Sequence, residues 1–444
     1  MWRSNTESEA DDAQLAQAFA RDLLNRLHCA QPLGACHSDH PARAWRRAGL
    51  MAVTGAEGGP GLVAPLALTA AADGALAALA ALAPLARLPA NGAVLLGERA
   101  RLLGLQRGGR VSANRSCRLL RAADGEIAVN LPRKSDWEQI PAWLEVEATT
   151  WDAIERALAR CEIDTLLSRA RVLGLAVSVC DGAAPNGPPF VVQRFRAPPR
   201  RGEPPLVVDM SGLWAGPLAG ALLRDMGARV IKVESTRRPD GGRFGDANFY
   251  ALLNAGKESV ALDFHAPEDV RRLQRLIAAA DIVIESARPR ALAQLGIDAR
   301  EIAARGGVWL SITAHGREGA ASERVGFGDD AAIEAGLAAA MRRHWGEAQF
   351  AGDAIADPLT GLVGAVAAWA GWLSGGAQLI SAPLSAVTRY ACALFETHDT
   401  PRWQAMACAD EAPLYPLRTH AGRAPALGAD SERVLAELSS LRRS

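Results

Sequence analysis

Residues 212–220 form a glycine-rich segment that could bind an anion. They read GLWAGPLAG and lie between a β-branched run and an apolar segment with helical spacing. The free N–H groups at the start of a helix attract phosphate, and glycine lets a ligand approach the backbone. The spacing matches neither G-x-G-x-x-G nor a Walker motif, which argues against nicotinamide and triphosphate ligands. Close packing of a helix on a strand requires the same glycines and is the alternative.

Basic side chains follow in the same part of the chain. Arg237 and Arg243 come after the run VIKVES, and Lys257 precedes the run SVALDF. Loops at the carboxyl ends of parallel strands are where open α/β sheets bind ligands. Guanidinium groups and a lysine suit phosphates, but an ordinary solvated rim contains the same residues. The residues alone leave both interpretations open.

Asp357 is the candidate for covalent chemistry. It stands just before an apolar segment that begins at Leu359. A carboxylate can attack an acyl group and form a covalent intermediate. Aspartate is also common at the start of a helix, where its side chain accepts a backbone N–H. Taken alone, this position favours the capping interpretation.

A metal site and a nucleic-acid site are both disfavoured. The only cluster of metal-ligand types, HC-x6-CH-x2-H at residues 28–40, lacks the paired C-x2-C spacing of structural zinc sites. Lys plus Arg and Asp plus Glu number 49 each, and aromatic residues make up 5% of the chain. Without a basic stripe or aromatic interleaving, we expect no nucleic-acid partner and no bound metal.

Strands and helices alternate from residue 204 onward. The β-branched or apolar runs lie at 204–211, 229–235, 259–264, 281–286 and 307–313, with helical patterns at 215–228 and 268–280. Such alternation requires parallel pairing, because each helix carries the chain back to the start of the next strand. The pattern predicts an α/β fold with a doubly wound parallel sheet over residues 206–444.

Residues 1–180 predict a smaller α+β domain. Helical patterns occur at 11–28, 69–87 and 150–171, and Asp124-Gly125 between apolar runs indicates a hairpin. Residues 181–205 hold seven of the 25 prolines and predict a stiff, solvated linker between the two domains.

The cysteines and the apolar segments predict a cytoplasmic protein. Seven scattered cysteines suit reduced thiols better than a disulfide framework. The polar, acidic start does not resemble a signal peptide. The most apolar windows, 74–86 and 361–373, are too short to cross a bilayer, so we expect no membrane partner.

The order of motifs over about 205–385 resembles the family III CoA-transferases, which include formyl-CoA and carnitine CoA-transferases and α-methylacyl-CoA racemases. The opening VVDMSGLWAGPLAGALLRDMGARVIKVES is similar to the start of the family's large domain. The further matching segments are Asn254-x-x-Lys257-x-Ser259, ADIVIE at 280–285, SITAHG at 311–316 and GDAIADPLTG at 352–361.

This resemblance implies a Rossmann-like domain that binds coenzyme A, and it assigns the nucleophile's role to Asp357. In such transferases the carboxylate attacks the donor thioester, and an aspartyl–CoA thioester forms that the acceptor carboxylate resolves. Coenzyme A and acyl-CoA would be substrates, with no permanently bound cofactor, and the partners would be an acyl-CoA, a carboxylic acid and a second copy in a homodimer. The candidate CoA-binding residues are Trp214, Ala215, Gly216, Arg237, Arg243, Asn254, Lys257, Ser286 and His315.

Several positions depart from the family pattern. Trp214 replaces a glutamine near the acyl group, and Ser286 replaces an asparagine, which argues against formyl or oxalyl substrates. Residues 328–330 read Gly-Asp-Asp where the racemases have Gly-His-Asp, and His315 lies on a different element. Racemisation needs an acid and a base on opposite faces, so it is disfavoured. An acyl-CoA racemase or isomerase and a non-catalytic CoA-binding subunit are the alternatives.

The N-terminal region resembles parts of the family's second half. Residues 52–82 echo the segment around the catalytic aspartate, with Asp73 near the equivalent place. Residues 117–145 resemble the small domain, and 418–438 the C-terminal tail. We therefore expect an architecture rearranged relative to the family, in which 1–180 supplies the small domain and Asp73 is a structural echo.

Overall fold

The computed structural model describes residues 12–180, 187–198, 203–420 and 422–440. Its N-terminal region is mainly helical and includes a small antiparallel sheet. The helices are α1 (Asp12–Arg26), α2 (Pro41–Arg47), α3 (Leu68–Leu82), α4 (Ala93–Leu103), α5 (Lys134–Glu138), α6 (Ile140–Leu144), α7 (Trp151–Leu158) and α8 (Ile163–Leu173). The strands are β1 (Cys117–Arg121), β2 (Glu126–Asn130) and β3 (Ala176–Val179), in the order β1-β2-β3.

The C-terminal region alternates strands and helices. Its strands are β4 (Val191–Arg194), β5 (Leu206–Asp209), β6 (Arg229–Ser235), β7 (Glu258–Leu262), β8 (Ile282–Glu285), β9 (Val308–Thr313) and β10 (Gln378–Pro383). Its helices are α9 (Ala215–Asp225), α10 (Ala247–Asn254), α11 (Pro267–Ala279), α12 (Pro289–Gln294), α13 (Ala299–Ala304), α14 (Gly328–Glu334), α15 (Leu337–Trp345), α16 (Ala356–Leu373), α17 (Leu384–Cys392), α18 (Thr400–Cys408) and α19 (Ser431–Ser440).

The large sheet has the strand order β4-β10-β9-β8-β5-β6-β7. All neighbours pair in parallel except β4, which is antiparallel to β10. The chain proceeds outward in one direction from β5 through β6 and β7, and in the other through β8, β9 and β10. This confirms the predicted doubly wound α/β fold. The reversal leaves a crevice outside the carboxyl ends of β5 and β8, where such sheets bind ligands.

The predicted hairpin is confirmed, and its turn shapes the next helices. β1 and β2 pair antiparallel on either side of Asp124-Gly125. The Asp124 side chain accepts the N–H of Ile163 (2.9 Å) at the start of α8. The single helix predicted over 150–171 is therefore two helices, α7 and α8, because the chain turns at residues 159–162 to reach this cap.

The proline-rich segment at 181–205 includes a strand. Val191–Arg194 forms the edge strand β4 and pairs with β10, although Val191 remains exposed. The β-branched pair Val191-Val192 suits this extended position. Much of the remaining segment, 181–186 and 199–202, lies outside the described residues.

Helix α16 lies at the centre of the molecule. It packs on α9 and the sheet on one side and on α3 of the N-terminal region on the other, and nearly all of its residues are buried. Gly361 allows the close approach to α9, because a Cβ there would lie 2.8 Å from the Ala215 carbonyl oxygen. Within the described ranges, no helix has the length and apolar character needed to cross a bilayer.

Two glycines of α16 give a matched test of this packing. G361A should lower the free energy of unfolding by about 1–3 kcal/mol, because the new methyl group meets the rigid backbone of α9. G371A should change it by less than about 1 kcal/mol, because its Cβ would be 3.3 Å from its nearest neighbours and alanine favours the helix. Urea unfolding measures both, and equal stabilities would show that α9 and α16 do not approach this closely.

Candidate active site

Asp357 lies in the first turn of α16. The N-cap residue is Ile355, and Asp357 is the second helical residue rather than the cap. Its side chain is partly buried, and none of the hydrogen bonds found among the described residues ends on its carboxylate. The carboxylate is thus near the positive end of a helix dipole and without a structural partner.

The chain runs very close to this carboxylate at Gly328. A Cβ at this glycine would lie 2.3 Å from Asp357 Oδ2 and 2.5 Å from the Ala354 carbonyl oxygen. Any other residue at position 328 would displace the Asp357 side chain. The first residues of α14 therefore form one wall of the site.

Three further aspartates surround Asp357, and all three are buried: Asp329, Asp330 and Asp353. Burial raises the pKa of Asp357 to about 7, and the three neighbouring carboxylates add to the effect while Arg99 opposes it. Burial also raises the pKa of Asp329 to about 7, with Asp353 adding to the shift. The site is thus a poorly hydrated acidic cluster in which Asp357 and Asp329 hold their protons more tightly than ordinary aspartates.

Arg99 is the cation that the structure brings to this cluster. It comes from α4 of the N-terminal region, and its Nε and Nη2 donate to the two oxygens of Asp353 (2.7 and 2.5 Å). Its guanidinium also lies over the Trp214 ring, 4.7 Å from the centroid. One arginine thereby joins the loop before α16 to the turn before α9.

Two asparagines of the N-terminal region satisfy the other buried aspartates. Asn114 Nδ2 donates to Asp329 (2.9 Å), and Asn130 Nδ2 donates to Asp330 (2.8 Å). The sequence did not single out Asn114, Asn130 or Arg99, because no local motif marks them. Asp353 lies inside the matching segment GDAIADPLTG but was not named as a site residue. The one available signal was the density of aspartates at 329–357, which requires donors from elsewhere.

The predicted residues of the glycine-rich turn lie at the crevice between β5 and β8. Ser286 is exposed, and its Oγ accepts the N–H of Gly212 (3.1 Å), so the two turns are linked. Trp214 is buried with its ring edge-to-face against Phe249, and Ala215 is buried behind it. A Cβ at Gly216 would lie 2.2 Å from the Ser211 side chain, so close packing requires this glycine.

Lys257 and Asn254 lie under that turn. The Lys257 ammonium is buried and donates to Asp209 (2.8 Å), to the Pro217 carbonyl (2.9 Å) and to Asn254 Oδ1 (3.1 Å). These three bonds use all its donors, so the placement favours a structural role that ties β5, α9 and β7 together. Its predicted role in phosphate binding stays a prediction.

The other three predicted residues are farther apart. Arg237 is exposed and pairs with Asp263 (2.8 Å). Arg243 is paired with Glu234 (2.5 Å). His315 is buried, with Nδ1 3.1 Å from a Glu334 oxygen. The structure therefore places the turn residues together at the crevice, but not all nine candidates around one cavity.

Comparison with known proteins identifies the C-terminal region. Residues 205–422 match the model of CoA-transferase family III. A succinate–glutarate CoA-transferase of Agrobacterium fabrum is 32% identical over 179 residues, 36% of this chain and 45% of the relative. The human succinyl-CoA:glutarate CoA-transferase is 32% identical over 166 residues, 35% of this chain and 38% of the relative. A crystal structure of Rv3272 from M. tuberculosis matches with 31% identity and a TM-score of 0.39, over 43% of this chain and 55% of that one. The match thus spans less than half the length of the two CoA-transferases and about half of the Rv3272 chain.

The role of Lys257 can be tested by removing its charge. K257M removes the ammonium group that pairs with the buried Asp209 and should cost about 3–5 kcal/mol of unfolding free energy. The double variant D209N/K257M removes both charges and should recover part of that loss, as measured in urea. A K257M protein with wild-type stability but weaker binding of acyl-CoA would instead establish the phosphate-binding role.

Proposed function

We propose that this chain transfers coenzyme A from an acyl-CoA to a carboxylic acid, because residues 205–422 match the model of CoA-transferase family III. The observation that carries this proposal is the placement of Asp357. Asp357 is half-buried, its carboxylate accepts none of the hydrogen bonds found among the described residues, and it faces a glycine that leaves no room for another side chain. A carboxylate that accepts no such bond is available to a substrate.

In the proposed reaction, Asp357 forms and releases a covalent intermediate. A carboxylate oxygen attacks the donor thioester, CoA thiolate leaves, and a mixed anhydride forms. The thiolate then attacks the aspartyl carbonyl, which releases the donor acid and leaves an aspartyl–CoA thioester. The acceptor carboxylate attacks the aspartyl–CoA thioester, which forms a second mixed anhydride and releases CoA thiolate. The thiolate then attacks the acceptor's carbonyl, which yields the new acyl-CoA and the free Asp357 carboxylate. The donor and the product are both thioesters, so the overall transfer is close to thermoneutral and reversible.

Coenzyme A would approach at the crevice between β5 and β8. The turn with Trp214, Ala215 and Gly216, together with Ser286, borders that crevice, and the exposed Arg237 lies beyond the end of β6. We propose that the exposed Ser286 and Arg237 contact CoA, and that the buried Trp214, Ala215 and Gly216 shape the turn at the binding site. Asn254 and Lys257 would support the turn from below.

The N-terminal region is proposed to act as the second domain of the same enzyme. Arg99, Asn114 and Asn130 all reach the aspartates around Asp357, so the site draws on both regions. A cytoplasmic homodimer remains part of this proposal.

Trapping the intermediate tests the proposed nucleophile. Incubation with succinyl-CoA and hydroxylamine should convert Asp357 to a hydroxamate, seen by peptide mass spectrometry, and D357N should show neither the adduct nor CoA transfer to glutarate. D73N is the matched control. Asp73 is buried and caps α4 by accepting the N–H groups of Gly92 (2.7 Å) and Ala93 (3.0 Å). An asparagine oxygen accepts the same two backbone bonds, and its NH2 group can donate to Ser38 Oγ, which now donates to Asp73 (2.8 Å), so transfer should persist.

The outcomes separate the alternatives. Loss of transfer in D73N with the fold intact would make Asp73 a second reacting group. Deuterium uptake at the α-carbon of an acyl-CoA without acyl exchange would indicate a racemase or isomerase. Binding of CoA with neither reaction would indicate a non-catalytic subunit.

The pH profile should reflect the ionisation of Asp357. Only the deprotonated carboxylate attacks a thioester, and the pKa of Asp357 is raised to about 7. The transfer rate measured as kcat/KM should therefore rise with pH through about 7 and fall roughly tenfold per pH unit well below it. A profile that is flat between pH 5 and 8 would contradict this assignment.

A further inference from the structure

The Arg99–Asp353 pair does more than bridge two regions. Asp353 is fully buried and lies four residues before Asp357, in the loop that leads into α16. Both Asp353 oxygens are occupied by the Arg99 fork, which fixes the orientation of the guanidinium. The same guanidinium rests on Trp214, which is itself held by Phe249 (5.1 Å between ring centroids).

Asp357 is faced mainly by negative charge. Asp329 and Asp330 face it from α14, and Asp353 from the loop before α16. His315 acts on Asp330, a neighbour of Asp357, and favours the charged form of the Asp330 carboxyl group. Among the described residues, Arg99 is the cation whose field acts directly on Asp357, and it opposes the three aspartates.

We propose that Arg99 is a positioning residue of the active site: it holds the loop that carries Asp357 against the Trp214 turn and keeps a positive charge beside the nucleophile. This inference rests on the proposed function and deepens it. It also gives the N-terminal region a specific part in the reaction, since α4 supplies the positive charge that acts on Asp357.

A purely structural role for Arg99 would look different. In that case the arginine would serve to neutralise the buried Asp353, and its removal would harm folding alone. The two roles separate in a background where position 353 is neutral. D353N leaves an amide oxygen that can accept one Arg99 N–H, and we expect the contact with Trp214 to persist.

The decisive comparison is therefore D353N against R99Q/D353N. Protein carrying 13Cγ-labelled aspartate is titrated by NMR, and the Asp357 signal is assigned by its absence in D357N. The Asp357 midpoint should be higher in R99Q/D353N than in D353N by about one pH unit, because loss of a nearby cation disfavours the carboxylate. R99K in the wild-type background should shift the midpoint less than R99Q, because it retains the charge.

Equal midpoints in D353N and R99Q/D353N would overturn the proposal and leave a structural role. The titration does not depend on catalysis, so it stands even if the protein fails to transfer CoA. If transfer is observed, kcat/KM of R99Q/D353N below pH 7 should fall about tenfold relative to D353N, in line with the shifted midpoint. A KM increase with an unchanged pH profile would contradict the proposed role, because it would show that Arg99 contacts the substrate instead.

Discussion

Burying several carboxylates at one end of α16 is the constraint on which the arrangement of this protein depends. An isolated charge inside a protein is costly unless it is paired, hydrogen-bonded or protonated. Asp353 is paired with Arg99, while Asp329 and Asp330 accept hydrogen bonds from Asn114 and Asn130. All three partners belong to the N-terminal region. The two regions are therefore joined by polar contacts at the place where the chemistry is proposed.

A second network of buried charges lies beneath the crevice and holds the turn after β5 in place. Lys257 and Lys232 are buried with Asp209 and Asp240, and their ion pairs are 2.8 Å long. Lys232 also donates to the Ser211 carbonyl (2.9 Å), so this network holds the backbone of the turn after β5. Such pairs fix geometry more than they add stability, because desolvation offsets much of their attraction. The turn is thereby rigid before any ligand arrives.

The sequence alone predicts most of the strands of the large sheet, but it does not predict which residues surround Asp357. Strand runs such as 229–235 carry their own pattern of β-branched residues, so β6 and its neighbours could be predicted locally. Arg99 sits in an ordinary helical stretch, and only the folded chain brings it to Asp353, 254 residues away in sequence. The same holds for the break between α7 and α8, which depends on Asp124 from a distant turn. Long-range pairing of single polar residues leaves no periodic signal.

The chemistry proposed for Asp357 requires two properties that oppose each other. A carboxylate with little water around it is a stronger nucleophile, but the same loss of water favours its protonated, unreactive form. The rate is highest when the pKa of the carboxylate lies near the working pH, because a large fraction is then deprotonated and each deprotonated group is still reactive. The pKa of Asp357 is raised to about 7, and Arg99 limits the rise. An N-terminal region that shields the site and also supplies an opposing charge, Arg99, would set this balance, which is a physical reason for both regions to occur in one chain.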